Sequence, residues 1–120
     1  MAQITWSQAE QLIHNYNQSN YQLKTNVNQV STTLNGLNFT RSQIQQILDQ
    51  HTDIDRLFFA YGQIEPNDPN GGQPGATLIV FGAKSTGGQM QLLFQAPAKI
   101  YSYGDPCPSI CPTNVNLSQL

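Results

Sequence analysis

The stretch Thr77-Leu78-Ile79-Val80-Phe81-Gly82-Ala83-Lys84 is the densest apolar, β-branched run in the chain, and glycine-rich turns bracket it. That combination predicts a central strand over 77–84. An aromatic run, Leu57-Phe58-Phe59-Ala60-Tyr61, precedes it, and Met90-Gln91-Leu92-Leu93-Phe94 follows across Gly87-Gly88. The position of 77–84 between these two runs suggests the middle of an antiparallel sheet, with strands over 57–61, 77–84 and 90–95. The segment from Glu65 to Gly75, rich in Pro, Asn and Gly, reads as a loop at the sheet edge.

Two helices are signalled upstream by the same device. Ile4-Thr5-Trp6-Ser7-Gln8 and Phe39-Thr40-Arg41-Ser42-Gln43 each set a Thr three residues before a Gln, the pattern of a reciprocal capping box. The first predicts a helix over 6–18 with Trp6, Ala9, Leu12, Ile13 and Tyr16 on one stripe; the second predicts a helix over 41–50 with Ile44, Ile47 and Leu48 inward. The likeness stops at the caps, so it reads as two solutions to one problem rather than an internal repeat. Between the helices, residues 23–34 read as an edge hairpin, and Asn35-Gly36 as a turn. Pro97 confines any strand over 96–103 to an edge or a bulge.

The expected fold is therefore α+β: an antiparallel β-sheet of four to five strands, two amphipathic helices and an irregular, Pro- and Cys-containing tail over 104–120. The 120 residues fit a single domain, 1–120, long enough to bury a core without a metal or a disulfide. Both faces of the central strands carry apolar side chains, and two helices are too few to cover them. A second copy of the chain, the N-terminal helix on the face opposite helix two, or the folded-back tail is needed for the remainder.

Charge narrows the function classes. Charged residues make up 10% of the chain, against about 25% in an average soluble domain. The net charge is −2, and Lys24, Arg41, Arg56, Lys84 and Lys99 are scattered, so no basic footprint for nucleic acid exists. The N-terminus has neither a basic nor an apolar signal region, and no run reaches the roughly 18 apolar residues of a membrane span. These features predict a soluble, cytoplasmic protein.

Chemistry-bearing residues are few. Cys107 and Cys111 lie four apart among prolines in Asp105-Pro106-Cys107-Pro108-Ser109-Ile110-Cys111-Pro112. They offer a short-loop disulfide, a redox pair, metal ligands or plain packing, and in a reducing cytoplasm free thiols are expected. Two Cys and two His are the bare inventory of a zinc site, which makes Cys107, Cys111, His14 and His51 the metal candidates. His14 and His51 sit on different helices without finger-like spacing, and two surface histidines are the favoured reading. Asp53-Ile54-Asp55 and Asp68-Pro69-Asn70-Gly71 read as helix exit and turn, since neither continues into a calcium loop. Gly71-Gly72 and Gly87-Gly88 lack the Lys and the following helix of a phosphate loop. No catalytic set and no cofactor motif emerges.

The tail Asp105 to Pro112, with Gly36-Leu37-Asn38-Phe39 and Phe58-Phe59-Ala60-Tyr61-Gly62, resembles a group of small uncharacterised bacterial proteins ending in Asp-Pro-Cys-Pro-x-x-Cys-Pro. The resemblance implies a bacterial origin and assigns no residue a role. The expected function is a non-catalytic structural or protein-interaction module that associates with itself or with a protein partner. The alternative is a small thiol-based redox protein or enzyme using Cys107 and Cys111.

Overall fold

A computed structural model describes residues 2–120. In chain order it contains α1 (Trp6–Gln18), β1 (Lys24–Val27), β2 (Val30–Thr33), β3 (Gly36–Asn38), α2 (Arg41–Asp49), β4 (Arg56–Ile64), β5 (Gly75–Thr86), β6 (Gln89–Leu92) and β7 (Asp105–Cys107), with a final 3-10 turn at Leu117–Gln119. The α+β class and the antiparallel sheet are as expected. The main sheet has five strands in the order β2-β1-β5-β4, with β6 also on β5.

Strand β5 is central because both its edges are used. Along one edge it pairs with all nine residues of β4, from Arg56↔Ala83 to Ile64↔Gly75. The other edge is shared by three short partners: β1 at Thr25↔Gly75, an isolated bridge at Val80↔Tyr101, and β6 from Ala83↔Leu92 to Thr86↔Gln89. The close crossing of β1 depends on Gly75, whose φ is +134° and whose added Cβ would lie 2.5 Å from Thr25 Cα.

Both capping boxes form. Thr5 and Thr40 Oγ1 accept from the backbone of Gln8 and Gln43, whose side chains accept from the Thr backbone in return. The hairpin over 23–34 also forms, with Asn28 and Gln29 at φ +50° and +67° in its two-residue turn. Helix α2 seats Ile47, which is fully buried, against Gly82 of β5. A Cβ at Gly82 would meet Ile54 Cδ1 at 2.8 Å and Ile47 Cγ2 at 3.1 Å, so the missing side chain is what admits the helix.

Several expected boundaries change, beginning with β5, which runs over Gly75–Thr86 rather than 77–84. Strand β4 does not stop at Tyr61 but continues through Gly62 to Ile64, because β5 extends to Gly75 and keeps supplying ladder partners. Strand β6 covers Gln89–Leu92 rather than 90–95; Leu93 N–H still reaches Gly82 O, and the chain then turns at Gln95–Ala98. The strand sought over 96–103 reduces to the Tyr101 bridge. The largest change is in the tail: Asp105–Cys107 is a strand paired with Gly36–Asn38, which forms a second, two-stranded sheet where a turn and an irregular tail were expected.

Candidate functional site

In β4 and β5, directly opposed residues share a face, so Phe59 and Tyr61 lie beside Val80 and Leu78. Gly82 belongs to the same face. Helix α2 covers its Val80–Gly82 end, where Val80 is fully buried. The other end is an open groove of about 420 Å³ with Phe59, Tyr61 and Leu78 on its floor. Leu12, Ile13 and Tyr16 of α1 form one wall, and Leu23, Leu34 and Leu37 contribute the rest of the apolar lining. The N-terminal helix therefore borders the face that α2 already occupies, not the opposite face. On that opposite face Phe58, Ala60, Ile79 and Phe81 all remain partly exposed.

The groove stays open because α1 is attached by polar bonds at one end. Tyr16 Oη donates to Leu34 O at 2.5 Å and accepts from Leu23 N at 3.0 Å, and Asn17 Nδ2 donates to Leu117 O at 2.9 Å. No residue of α1 is buried. Trp6 is 52% exposed and Leu12 59%, while on the groove floor Tyr61 reaches 76%. Leu12 and Tyr61 line the same groove, so their exposed apolar surfaces belong to one patch rather than to scattered singletons.

The cysteines are joined. Cys107 and Cys111 form a disulfide with Cα atoms 4.7 Å apart, which overturns the expectation of free thiols. The local reason is a turn in which Ile110 N–H donates to Pro106 O at 2.8 Å, bringing Cys111 back beside Cys107 at a separation that a disulfide accepts. Cys107 is buried in β7, and Cys111 is exposed.

The four metal candidates are not gathered. His14 Nδ1 lies 3.3 Å from Leu120 O; His51 Nδ1 accepts from Asp53 N at 3.1 Å; and the two sulfurs are bonded to each other. Among the described residues no group of three or more His, Cys, Asp or Glu is placed to hold a metal ion. The other polar motifs are structural in their contacts. Asp55 Oδ1 accepts from Arg56 Nε and from Ser85 N, both at 3.2 Å. Asp68 Oδ2 accepts from Asn70 N at 3.0 Å and from Tyr103 Oη at 2.9 Å, closing the 68–71 turn. Tyr101 Oη donates to Gln46 Oε1 at 2.6 Å and ties the strand segment to α2.

A further hollow, about 550 Å³, lies between the end of α2 and the loop 92–98, with Gln50 and His51 on its border. Its lining comes from the end of α2 and the one continuous segment 92–98, whereas the groove gathers aromatic and aliphatic side chains from five separate segments. The groove is the better candidate. Its members Leu12, Leu34 and Leu37 drew no functional attention in the sequence; the legible signal was the double-sided apolar character of 57–61 and 77–81.

No family model matches this chain, and no curated protein or solved structure matches it either. No helix among the described residues is long and apolar enough to cross a membrane.

Proposed function

We propose that this chain is a non-catalytic structural and interaction module that works by associating with itself. One observation carries the reading: the folded chain exposes 8559 Å². A compact monomer of 13.3 kDa exposes about 6,500 Å². The radius of gyration, 16.0 Å, likewise exceeds the roughly 13.6 Å of a compact chain of this length. The excess, about 2,100 Å² per chain, is more than the roughly 800 Å² that a standard interface removes from each partner and falls in the range of large obligate interfaces. The apolar groove and the partly exposed opposite face account for where it lies. Sedimentation equilibrium over a concentration series tests the reading: a mass rising to a multiple of 13.3 kDa is expected, and a mass fixed at 13.3 kDa throughout refutes it.

A second reading, a small thiol-based redox protein, is favoured by the exposed sulfur partner Cys111 in a disulfide of sequence separation 4. It predicts that a Cys107→Ser, Cys111→Ser double variant loses its cellular role while keeping its assembly state. For compartment, the disulfide favours an oxidising setting over the expected cytoplasm. Thiol trapping in whole cells, followed by scoring of the bridged fraction, decides between them. A bacterial origin is supported by the tail motif alone.

A further inference from the structure

Among the described residues, the outer edge of β4 differs from every other strand edge. Strands β2 and β6 are four residues each, and β3 and β7 are three, with Pro106 in β7. Strand β4 is nine residues long, contains no Pro or Lys, and carries a single charge, Arg56 at its start. Short strands, Pro and Lys are the ordinary protections of a sheet edge, and β4 has none of them.

The backbone of β4 has a defined polarity. On β5, Val80 exchanges hydrogen bonds with Tyr101 at 2.7 and 3.2 Å, and Gly82 O accepts from Leu93 N at 3.0 Å, so the even-numbered residues point away from β4. The odd-numbered residues point toward it, as Ala83 O does in accepting from Asp55 N. By register their partners Phe58, Ala60, Gly62 and Ile64 turn their backbone groups inward. Leu57, Phe59, Tyr61 and Gln63 therefore present N–H and C=O to the free edge.

We propose that β4 pairs antiparallel with β4 of a second copy about a two-fold axis at Ala60, joining two five-stranded sheets into one; the proposal rests on the self-association reading above. The occupant is a second copy because a partner strand must itself be a long free edge, and the described residues offer one such edge. The register follows from the strand bounds: full overlap of Arg56–Ile64 sets Ala60 opposite Ala60, Phe59 opposite Tyr61 and Leu57 opposite Gln63. All four outward-facing residues then meet outward-facing residues. Phe59 and Tyr61, 45% and 76% exposed, become cross-strand aromatic pairs on the groove face. The only charge in the strand, Arg56, falls opposite Ile64 and meets no like charge there.

Ala60 opposite Ala60 is a non-hydrogen-bonded pair, whose Cα atoms lie about 4.5 Å apart, within disulfide range. In the full chain, Ala60→Cys is expected to give a covalent dimer as the main species on mild oxidation, reversed by thiol. Gln63→Cys, on the same exposed edge, is expected to give almost none, since its symmetry mate lies about 20 Å along the strand. Tyr61→Pro removes an outward N–H that the monomer does not use, so the fold is kept while association weakens by about tenfold or more. Equal cross-linking of the two cysteine variants, or an unchanged association of Tyr61→Pro, overturns the proposal while self-association of the unaltered chain stands. An unaltered chain that stays monomeric overturns both.

Discussion

Helices α1 and α2 begin with the same chemistry and end in different surroundings. Each opens on an apolar residue, a Thr cap and a Gln that closes the box. Helix α2 then lays Ile47 into the notch at Gly82, while α1 buries nothing and hangs over the groove from Tyr16 and Asn17. A cap sets where a helix starts; the surface opposite decides whether it is seated. Helix α2 finds a glycine on the central strand, and α1 faces Phe59, Tyr61 and Leu78 across the open groove. The consequence is an apolar surface on one half of the sheet that a single chain leaves in water.

Substitutions sharpen this contrast. At one fixed protein concentration, so that association is held constant, Ile47→Ala is expected to cost about 3 kcal/mol in denaturant unfolding, because a fully buried side chain leaves a cavity under α2. Tyr16→Phe removes the hydroxyl that bridges Leu34 O and Leu23 N. A loss of about 1 kcal/mol is expected, together with faster amide exchange in α1 and at Leu23. Leu12→Ala on the same helix should change unfolding by less than about 0.5 kcal/mol, since its side chain is largely exposed. A loss at Leu12 equal to that at Ile47 would mean that α1 is seated after all.

The sequence made the local signals legible: the two caps, the hairpin turn, and the apolar, β-branched core of β5. What it hid were pairings that depend on distant partners. Gly36–Asn38 becomes a strand only because Asp105–Cys107 lies beside it, and neither segment has β-forming composition of its own. The disulfide was hidden for a similar reason, since the turn from Pro106 to Ile110 that closes it is a matter of backbone path rather than spacing. The two-faced apolar character of the central strands was visible, and it pointed to a shortage of covering layers. Which face α1 borders, and which edge of β4 is free, required the register between strands.

The central claim is that the open edge of β4 is closed by a second copy, and amide hydrogen exchange at Phe59 and Tyr61 tests it most directly. As protein concentration rises, these two amides are expected to slow toward the rates of Phe58 and Ala60, which are already bonded to β5. Fast exchange at Phe59 and Tyr61 at every concentration, with Phe58 and Ala60 protected throughout, would contradict it.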